Sequence, residues 1–330
     1  MQIAVIGAGA IGGTIAALLD AVGHSVELTA RGEHLARIRE SGIRLTGAWG
    51  THVARVTANE TLTVRPELAF VCTKAQDARS AISANTDLLR GLPVVIVQNG
   101  LEALDTAREA LPEADWIGAL ALYAASYLSP GEISITTPGV TYLGSGPGAP
   151  SPATRAVRAT LGEVMPTEAI PNFTGAQWSK LIVNQVNAMP AITGLSAQET
   201  LEHPALRRII TRSMREAVGI GFARGVHFGK VQGLSDLRLR AFARAPLTLA
   251  EQLPLLMRRR MGDTPNPGST LQSIRRGQLT EIDYLNGAVV KEAAAAGREA
   301  PVNAALTALV HEVERTGAFL TPAAVARAVP

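Results

Sequence analysis

From residue 1 to about 170, short apolar runs alternate with stretches of helical period, the pattern of βαβ units around a mainly parallel sheet. The runs predict strands at Gln2–Ile6, Ser25–Leu28, Leu68–Thr73, Pro93–Val97 and Trp116–Ala121. Between Gly42 and Val56, polar and apolar residues alternate around the turn signals Gly47 and Gly50, which reads as a hairpin. Glu132–Thr136 and Val140–Leu143 flank Pro138-Gly139 in the same manner. After the Pro-containing segment Met165–Asn172 the strand alternation stops. Long Ala/Leu/Arg-rich stretches then predict helices at Gly175–Ala191, Pro204–Ala223, Leu247–Arg260, Glu281–Ala296 and Val302–Thr316, with a loop at Gly262–Ser269. The expected architecture is an α/β domain over residues 1–170 followed by a mainly α-helical domain over residues 171–330.

Composition supports two cores: the 330 residues are 47% hydrophobic and only 18% charged. The single cysteine, Cys72, excludes an intrachain disulfide and fits a reducing compartment; its run Leu68–Cys72 suggests a buried strand position. The start, Met1–Gly7, lacks the basic and apolar regions of a signal peptide, and no apolar run reaches membrane-spanning length, so a soluble, cytoplasmic protein with no membrane partner is expected. A net charge of +3 and a pI near 9.3 suit anionic small ligands. The basic cluster Arg258-Arg259-Arg260 is short and has no interleaved aromatics, which argues against a nucleic-acid partner. The six histidines show no metal-ligand spacing, and no metal is expected.

Gly7-Ala8-Gly9-Ala10-Ile11-Gly12 follows the first strand and opens a helix, the context in which a glycine-rich turn holds a dinucleotide in a Rossmann domain. Gly7 permits the tight turn, Gly9 lets the backbone approach a pyrophosphate, and Gly12 lets helix and strand pack closely. The second strand ends Leu28-Thr29-Ala30-Arg31. An arginine there pairs with a 2′-phosphate, whereas an acid would bond a ribose diol, so the expected cofactor is NADPH/NADP, the competing reading being Arg31 as a solvated surface charge. Lys74 after the third strand, and Asn99 within Gln98-Asn99-Gly100 after the fourth, point to the same crevice. Lys74 as a helix-start charge and Asn99-Gly100 as a plain turn are the competing readings.

In the first helix of the second domain, Lys180, Asn184 and Asn187 are spaced i, i+4 and i+7 and share one stripe of an otherwise apolar helix. The stripe is either solvated or built for hydrogen bonding; asparagine is a poor helix former, and two beside one lysine favour the latter. Thr280-Glu281-Ile282-Asp283 resembles a capping box, which makes Asp283 structural and leaves Glu281 open between a helix-dipole acid and a site residue. Ser269, with Gln272 three residues on, has capping geometry as well.

Together these motifs resemble the ketopantoate reductase (2-dehydropantoate 2-reductase) family over nearly the whole chain. The resemblance rests on Gly7-x-Gly9-x-x-Gly12, Arg31, Lys74-Ala75, Gln98-Asn99-Gly100, Trp178-x-Lys180-Leu181-x-x-Asn184, Ser269, Thr280-Glu281-Ile282-Asp283-Tyr284-x-Asn286-Gly287 and Pro301-x-Asn303. It implies reduction of a small 2-oxo acid, 2-dehydropantoate (ketopantoate), by hydride from NADPH, with substrate between the domains. It further implies that Lys180 is the general acid, Asn184 a substrate-binding amide, Ser269 a substrate contact, Glu281 a residue near cofactor and active site, Asn99 a residue near the nicotinamide, and Ala125 a backbone cofactor contact. The chain departs from the family where a second substrate amide is expected eight residues after the lysine: that position is Ala188, and Asn187 lies one residue earlier. Ser273 stands where the family commonly has an acid, and the stretch from Phe228 to Met261 is long enough to reshape the cleft wall. A reductase of another oxo acid, ketone or imine, or an inactive NADPH-binding regulator, are the alternatives. The apolar stretch Leu253–Met257 would serve internal packing or a homodimer equally.

Overall fold

The computed structural model describes residues 1–262 and 265–330. The chain divides into two compact units, Met1–Thr174 and Gly175–Pro330. The first is an α/β unit and the second is helical, with a few 3₁₀ turns.

The strands of the first unit are β1 (Gln2–Ile6), β2 (Ser25–Thr29), β3 (Ile43–Gly47), β4 (His52–Ala54), β5 (Thr57–Asn59), β6 (Leu68–Val71), β7 (Pro93–Val97), β8 (Asp115–Ala121), β9 (Ala124–Ser129), β10 (Glu132–Thr137), β11 (Thr141–Gly144) and β12 (Thr167–Ala169). Eight form one sheet in the order β12-β11-β8-β7-β6-β1-β2-β5, parallel except where β11 runs against β8. Strand order reverses between β1 and β6, and the carboxyl ends of β2, β1, β6 and β7 come into line through the register Thr29–Ile6–Val71–Ile96. Open α/β sheets bind ligands at such a switch point. Burial on both faces explains the nearly continuous apolar runs of these strands: Ile3, Val5, Phe70, Val71, Val94 and Val95 are all fully buried.

A second sheet, ordered β4-β3-β10-β9, covers helix α1 (Ala10–Ala21). The fit is close: a Cβ on Gly13 of α1 would lie 2.2 Å from Ile133 of β10. The expected β3–β4 hairpin is present as an antiparallel pair. The second expected hairpin is not. β10 pairs with β3 and β9, whereas β11 lies in the other sheet beside β8 and β12. Pro138-Gly139 therefore carries the chain from one sheet to the other, and the tight turn is Pro130-Gly131, with Gly131 at φ 79°, between β9 and β10. Alternation reports that a strand has one buried face and is silent on its partner. The expected strand at Leu68–Thr73 ends at Val71, which leaves Cys72 just beyond it; burial pushes its thiol up, and its Cβ lies 2.9 Å from where a Cβ on Gly12 would stand.

In the second unit Pro204–Ala223 is a single helix as expected, and Val302–Thr316 gains Pro301 as its first residue. Two expected helices are interrupted. Gly175–Ala191 resolves into a helix Phe173–Asn184, a 3₁₀ turn Gln185–Asn187 and a helix Ala188–Thr193; Leu247–Arg260 resolves into Leu247–Ala250 and Gln252–Arg260. Each second segment carries a proline as its third residue, Pro190 and Pro254. Proline lacks the N–H that would continue the upstream ladder and clashes with the carbonyl four residues back, but is tolerated in a first turn whose donors are unpaired anyway. The breaks at Gln185–Asn187 and Glu251 follow. The expected Glu281–Ala296 helix begins as a 3₁₀ turn, Ile282–Tyr284, and is α-helical only over Asn286–Ala295. Thr280 does not form the capping box: its Oγ1 accepts from the N–H of Ile282 at 3.2 Å, two residues on. Asp283 instead faces His311, Oδ1 to Nε2 2.9 Å. Part of the expected loop Gly262–Ser269 lies outside the described residues, at 263–264. Its end is helical, Gly268–Arg275, with Pro267 at the N-cap, so Ser269 lies inside the first turn and does not cap it.

Candidate active site

The glycine motif has the geometry of an anion cradle. Gly7, at φ 101°, turns the chain out of β1 and donates its N–H to Thr29 Oγ1 at 3.0 Å, tying the loop to the end of β2. A Cβ on Gly12 would stand 1.9 Å from the Gly7 carbonyl oxygen, so only glycine lets α1 approach the strand this closely. Gly9, the N-cap of α1, is different: a Cβ there would meet nothing within 4 Å. The α1 N-terminus has no side-chain cap and no acid in its first turn, which leaves its amide donors and dipole available to an incoming phosphate. Ala8, Ala10 and Ile11 complete this turn.

Arg31 is the exposed N-cap of helix α2 (Gly32–Ser41), just past β2. The acid in that strand, Glu27, is buried and committed. It accepts from Asn59 Nδ2 (2.9 Å), Thr63 N (2.9 Å), Thr63 Oγ1 (2.7 Å) and Val64 N (3.1 Å). It is structural, not a ribose ligand. Lys74 is the half-buried N-cap of the short 3₁₀ turn Ala75–Asp77, and the carbonyls of Thr73 and Lys74 accept from Gln98 Nε2 at 2.8 and 3.3 Å, which holds the ends of β6 and β7 together. Asn99 is half-buried beside Gly100, at φ 86°. Ala125 sits in β9, paired with Ile135 of β10 rather than on the main sheet.

In the second unit Lys180 is half-buried on the Phe173–Asn184 helix, between the buried Ser179 and Leu181. Burial pulls its ammonium down from the ordinary lysine range to about 8; the negative charge of Glu281 acts in the opposite direction. Glu281 is the half-buried N-cap of the Ile282–Tyr284 turn, so the structure brings Lys180 and Glu281 into one electrostatic environment. Asn184 ends the helix one turn beyond Lys180. In an uninterrupted α-helix Asn187 would lie about 60° around from Asn184, whereas the tighter winding of the 3₁₀ turn brings it round toward the Asn184 side of the helix. Ala188, by contrast, is fully buried. The Asn187 carboxamide oxygen stands 3.1 Å from where a Cβ on Gly268 would be, which puts Asn187 beside the helix start carrying the exposed Ser269.

Beneath this overwound turn lies a polar network that pattern reading did not anticipate. Gln185 Oε1 accepts from Ser213 Oγ (2.9 Å) and Asn286 Nδ2 (2.8 Å); Asn286 Nδ2 also reaches Asn303 Oδ1 (2.9 Å). Asn303 Nδ2 donates to Glu216 Oε2 (2.8 Å), whose carboxylate also accepts the N–H groups of Val302 and Asn303 at the start of the Pro301–Thr316 helix. Gln185, Ser213, Asn286 and Asn303 are fully buried. Their signal in the sequence was a set of polar residues inside helical apolar runs, but only their convergence gives it meaning.

Residues 3–148 match the family description "Ketopantoate reductase PanE/ApbA" and residues 172–314 its C-terminal counterpart. The chain belongs to the ketopantoate reductase family. Among curated relatives, the 2-dehydropantoate 2-reductase of Pyrococcus horikoshii is 28% identical over 319 residues, covering 96% of this chain and 99% of that protein. Its counterpart from Halobacterium salinarum is 27% identical over 323 residues, covering 96% and 100%. Among solved structures, a PanE/ApbA family ketopantoate reductase from Ralstonia eutropha JMP134 is 28% identical, with a TM-score of 0.79 and coverage of 96% and 99%. D-mandelate dehydrogenase in complex with NADH and anilino(oxo)acetate shares the fold at a TM-score of 0.81 and 20% identity. Members of this family are oxidoreductases that use a nicotinamide cofactor, and the cradle at Gly7–Gly12 fits one. Among the described residues no helix is long and apolar enough to cross a membrane.

Proposed function

We propose that this protein is a cytoplasmic NADPH-dependent reductase that converts ketopantoate to pantoate, with Lys180 as the general acid. The observation that carries the reading is the lysine itself: a half-buried amine whose ammonium is tuned to about 8, beside Glu281 and at the head of a stripe of two carboxamides. A catalytic acid works best when its pKa lies near the working pH. NADPH supplies the hydride that adds to the carbonyl carbon of the 2-oxo acid. As the carbonyl oxygen gains negative charge, the Lys180 ammonium stabilises it and delivers its proton to that oxygen, giving the 2-hydroxy acid. The amine regains a proton from solvent. Glu281 keeps the lysine charged despite burial, and Asn184, Asn187 and Ser269 are the candidates to orient the substrate. The preference for NADPH is supported by Arg31 as an exposed cation past β2 and by Glu27, whose carboxylate is spent on its own loop. Gly7–Gly12, Lys74, Asn99 and Ala125 are the remaining cofactor candidates.

One observation favours a second reading, in which the substrate is a different 2-oxo acid: the position eight residues after the lysine is the buried Ala188, which offers no amide. A site built to bond a substrate hydroxyl discriminates strongly, so the exact placement of one carboxamide matters. The test is NADPH oxidation followed at 340 nm with ketopantoate and a panel of other oxo acids. A kcat/KM above about 10⁴ M⁻¹s⁻¹ for ketopantoate supports the first reading. Inert ketopantoate with turnover of another oxo acid selects the second, and no turnover of any carbonyl compound removes both.

A further inference from the structure

His34, in the first turn of α2, has no part in the reading so far, yet its ring bridges two segments of the first unit. Nε2 lies 2.8 Å from the Ala8 carbonyl oxygen, inside the glycine motif, and Nδ1 lies 3.0 Å from the backbone nitrogen of Gly131, in the turn between β9 and β10. The Gly131 N–H can only donate, so Nδ1 presents its lone pair and Nε2 carries the proton that it gives to Ala8. Burial acts in the same sense, holding the imidazole below the ordinary histidine range and hence neutral. Tyr127 of β9 packs edge-on against the ring, with centroids 4.9 Å apart at 73°.

The consequence for the cradle follows from peptide geometry. The Ala8–Gly9 bond is trans, and the C=O and N–H of a trans peptide point in opposite directions. With the Ala8 carbonyl fastened to His34, the Gly9 N–H is fixed on the other side of the loop, at the α1 N-cap where a Cβ would meet nothing. Glycine at position 9 is otherwise the residue with the most backbone freedom to lose. We propose that His34 is a positioning residue for the cofactor: it fixes the Ala8–Gly9 peptide so that the Gly9 N–H is presented to the pyrophosphate, and it ties that loop to the β9–β10 turn. The proposal rests on the reading that the glycine motif binds NADPH.

The test uses the full chain with His34→Leu, which fills the space without a donor, and His34→Gln, whose amide can still donate to Ala8. Dissociation constants are measured by fluorescence titration for NADPH and by calorimetry for adenosine 2′-monophosphate, which carries the 2′-phosphate and lacks the pyrophosphate. Apo melting temperatures and kcat at saturating NADPH are recorded beside them. Expected are about tenfold weaker NADPH binding in His34→Leu, the effect of one hydrogen bond at a preorganised site, recovery to within about threefold in His34→Gln, and unchanged adenosine 2′-monophosphate binding and kcat. Equal NADPH affinity in His34→Leu and wild type overturns the proposal. So does an equal loss for both ligands, which marks a general structural defect, or a glutamine variant as weak as the leucine one. Should His34→Leu not fold, His34→Asn, too short to reach Ala8, takes its place. A wild-type protein that binds neither ligand overturns the NADPH reading itself.

Discussion

Replacing Glu281 by Gln removes the one charge identified as holding the half-buried Lys180 ammonium up while leaving the side-chain volume almost unchanged. With the amine at about 8, roughly nine-tenths of the protein carries the acid at pH 7, about half at pH 8 and about a tenth at pH 9. If Lys180 is the proton donor, kcat/KM for the oxo acid at saturating NADPH falls along an alkaline limb centred near pH 8. Burial remains in Glu281→Gln while the opposing charge is gone, so the amine drops by about one further unit, an ordinary effect for the loss of one nearby opposite charge. The limb then moves to lower pH, and activity at pH 8 relative to each protein's acid plateau falls from about a half to about a tenth. The assay is NADPH oxidation at 340 nm from pH 6 to pH 10, with the ketopantoate concentration varied at each point. An alkaline limb that does not move, or that moves upward, refutes the coupling of Glu281 to the acid. A wild-type profile flat to pH 10 removes Lys180 from the role.

Lys180→Met lowers turnover by on the order of 10²-fold or more, yet raises stability at pH 7 by about 1 kcal/mol in urea denaturation, because a desolvated charge is removed. The sign is checked by pH: between about 8 and 10.5 the unfolded wild-type chain holds a proton that the folded one has released, so wild-type stability gains on the variant as pH rises through that window. Arg31→Ala weakens NADPH by about 10- to 100-fold, the worth of charge-assisted hydrogen bonds, and leaves the NADH KM nearly unchanged; equal KM values for NADPH in variant and wild type refute the 2′-phosphate assignment. Asn303→Ala leaves Asn286 and Glu216 short of partners in a buried network and costs about 2–4 kcal/mol by chemical denaturation; a loss under about 0.5 kcal/mol contradicts that account. Gly12→Ala drives a Cβ into the Gly7 carbonyl and eliminates measurable NADPH binding, as read by fluorescence titration.

The central strands β1, β2, β6, β7 and β8 were legible because burial on both faces writes itself into the chain as apolar runs, whereas the three-residue edge strands β5 and β12 are too short to leave one and were missed; the glycine motif was legible because Gly7 and Gly12 answer to local constraints, a positive φ and a backbone contact within six residues. Arg31, Lys74 and Asn99 could be named as candidates for a related reason: each follows a strand end, and parallel register brings strand ends into line. The misreadings share a different cause. Pro190 and Pro254 stood in plain sight inside runs of helical period, but periodicity persists across a one-turn break, so the runs were read as continuous. The β10–β11 hairpin failed because two neighbouring strands with matched alternation carry no label for the sheet each joins.

What the sequence determined alone is therefore what depends on neighbours along the chain: element type, the tight turn of the cradle, and the i, i+4 spacing that puts Lys180 and Asn184 on one stripe. The tertiary structure decided whatever depends on partners distant in sequence. Whether Glu27 reaches a ribose or satisfies its own loop was settled by Asn59, Thr63 and Val64. The tuning of Lys180 was settled by burial and by a carboxylate about a hundred residues away. The turning of Asn187 toward Asn184 required a 3₁₀ turn whose Gln185 is held by Ser213 and Asn286, and the grip of His34 on Ala8 required a turn at Gly131. Hydrogen bonds and desolvation act through space over a few ångströms, and a linear pattern records only those contacts that the chain's own period brings together.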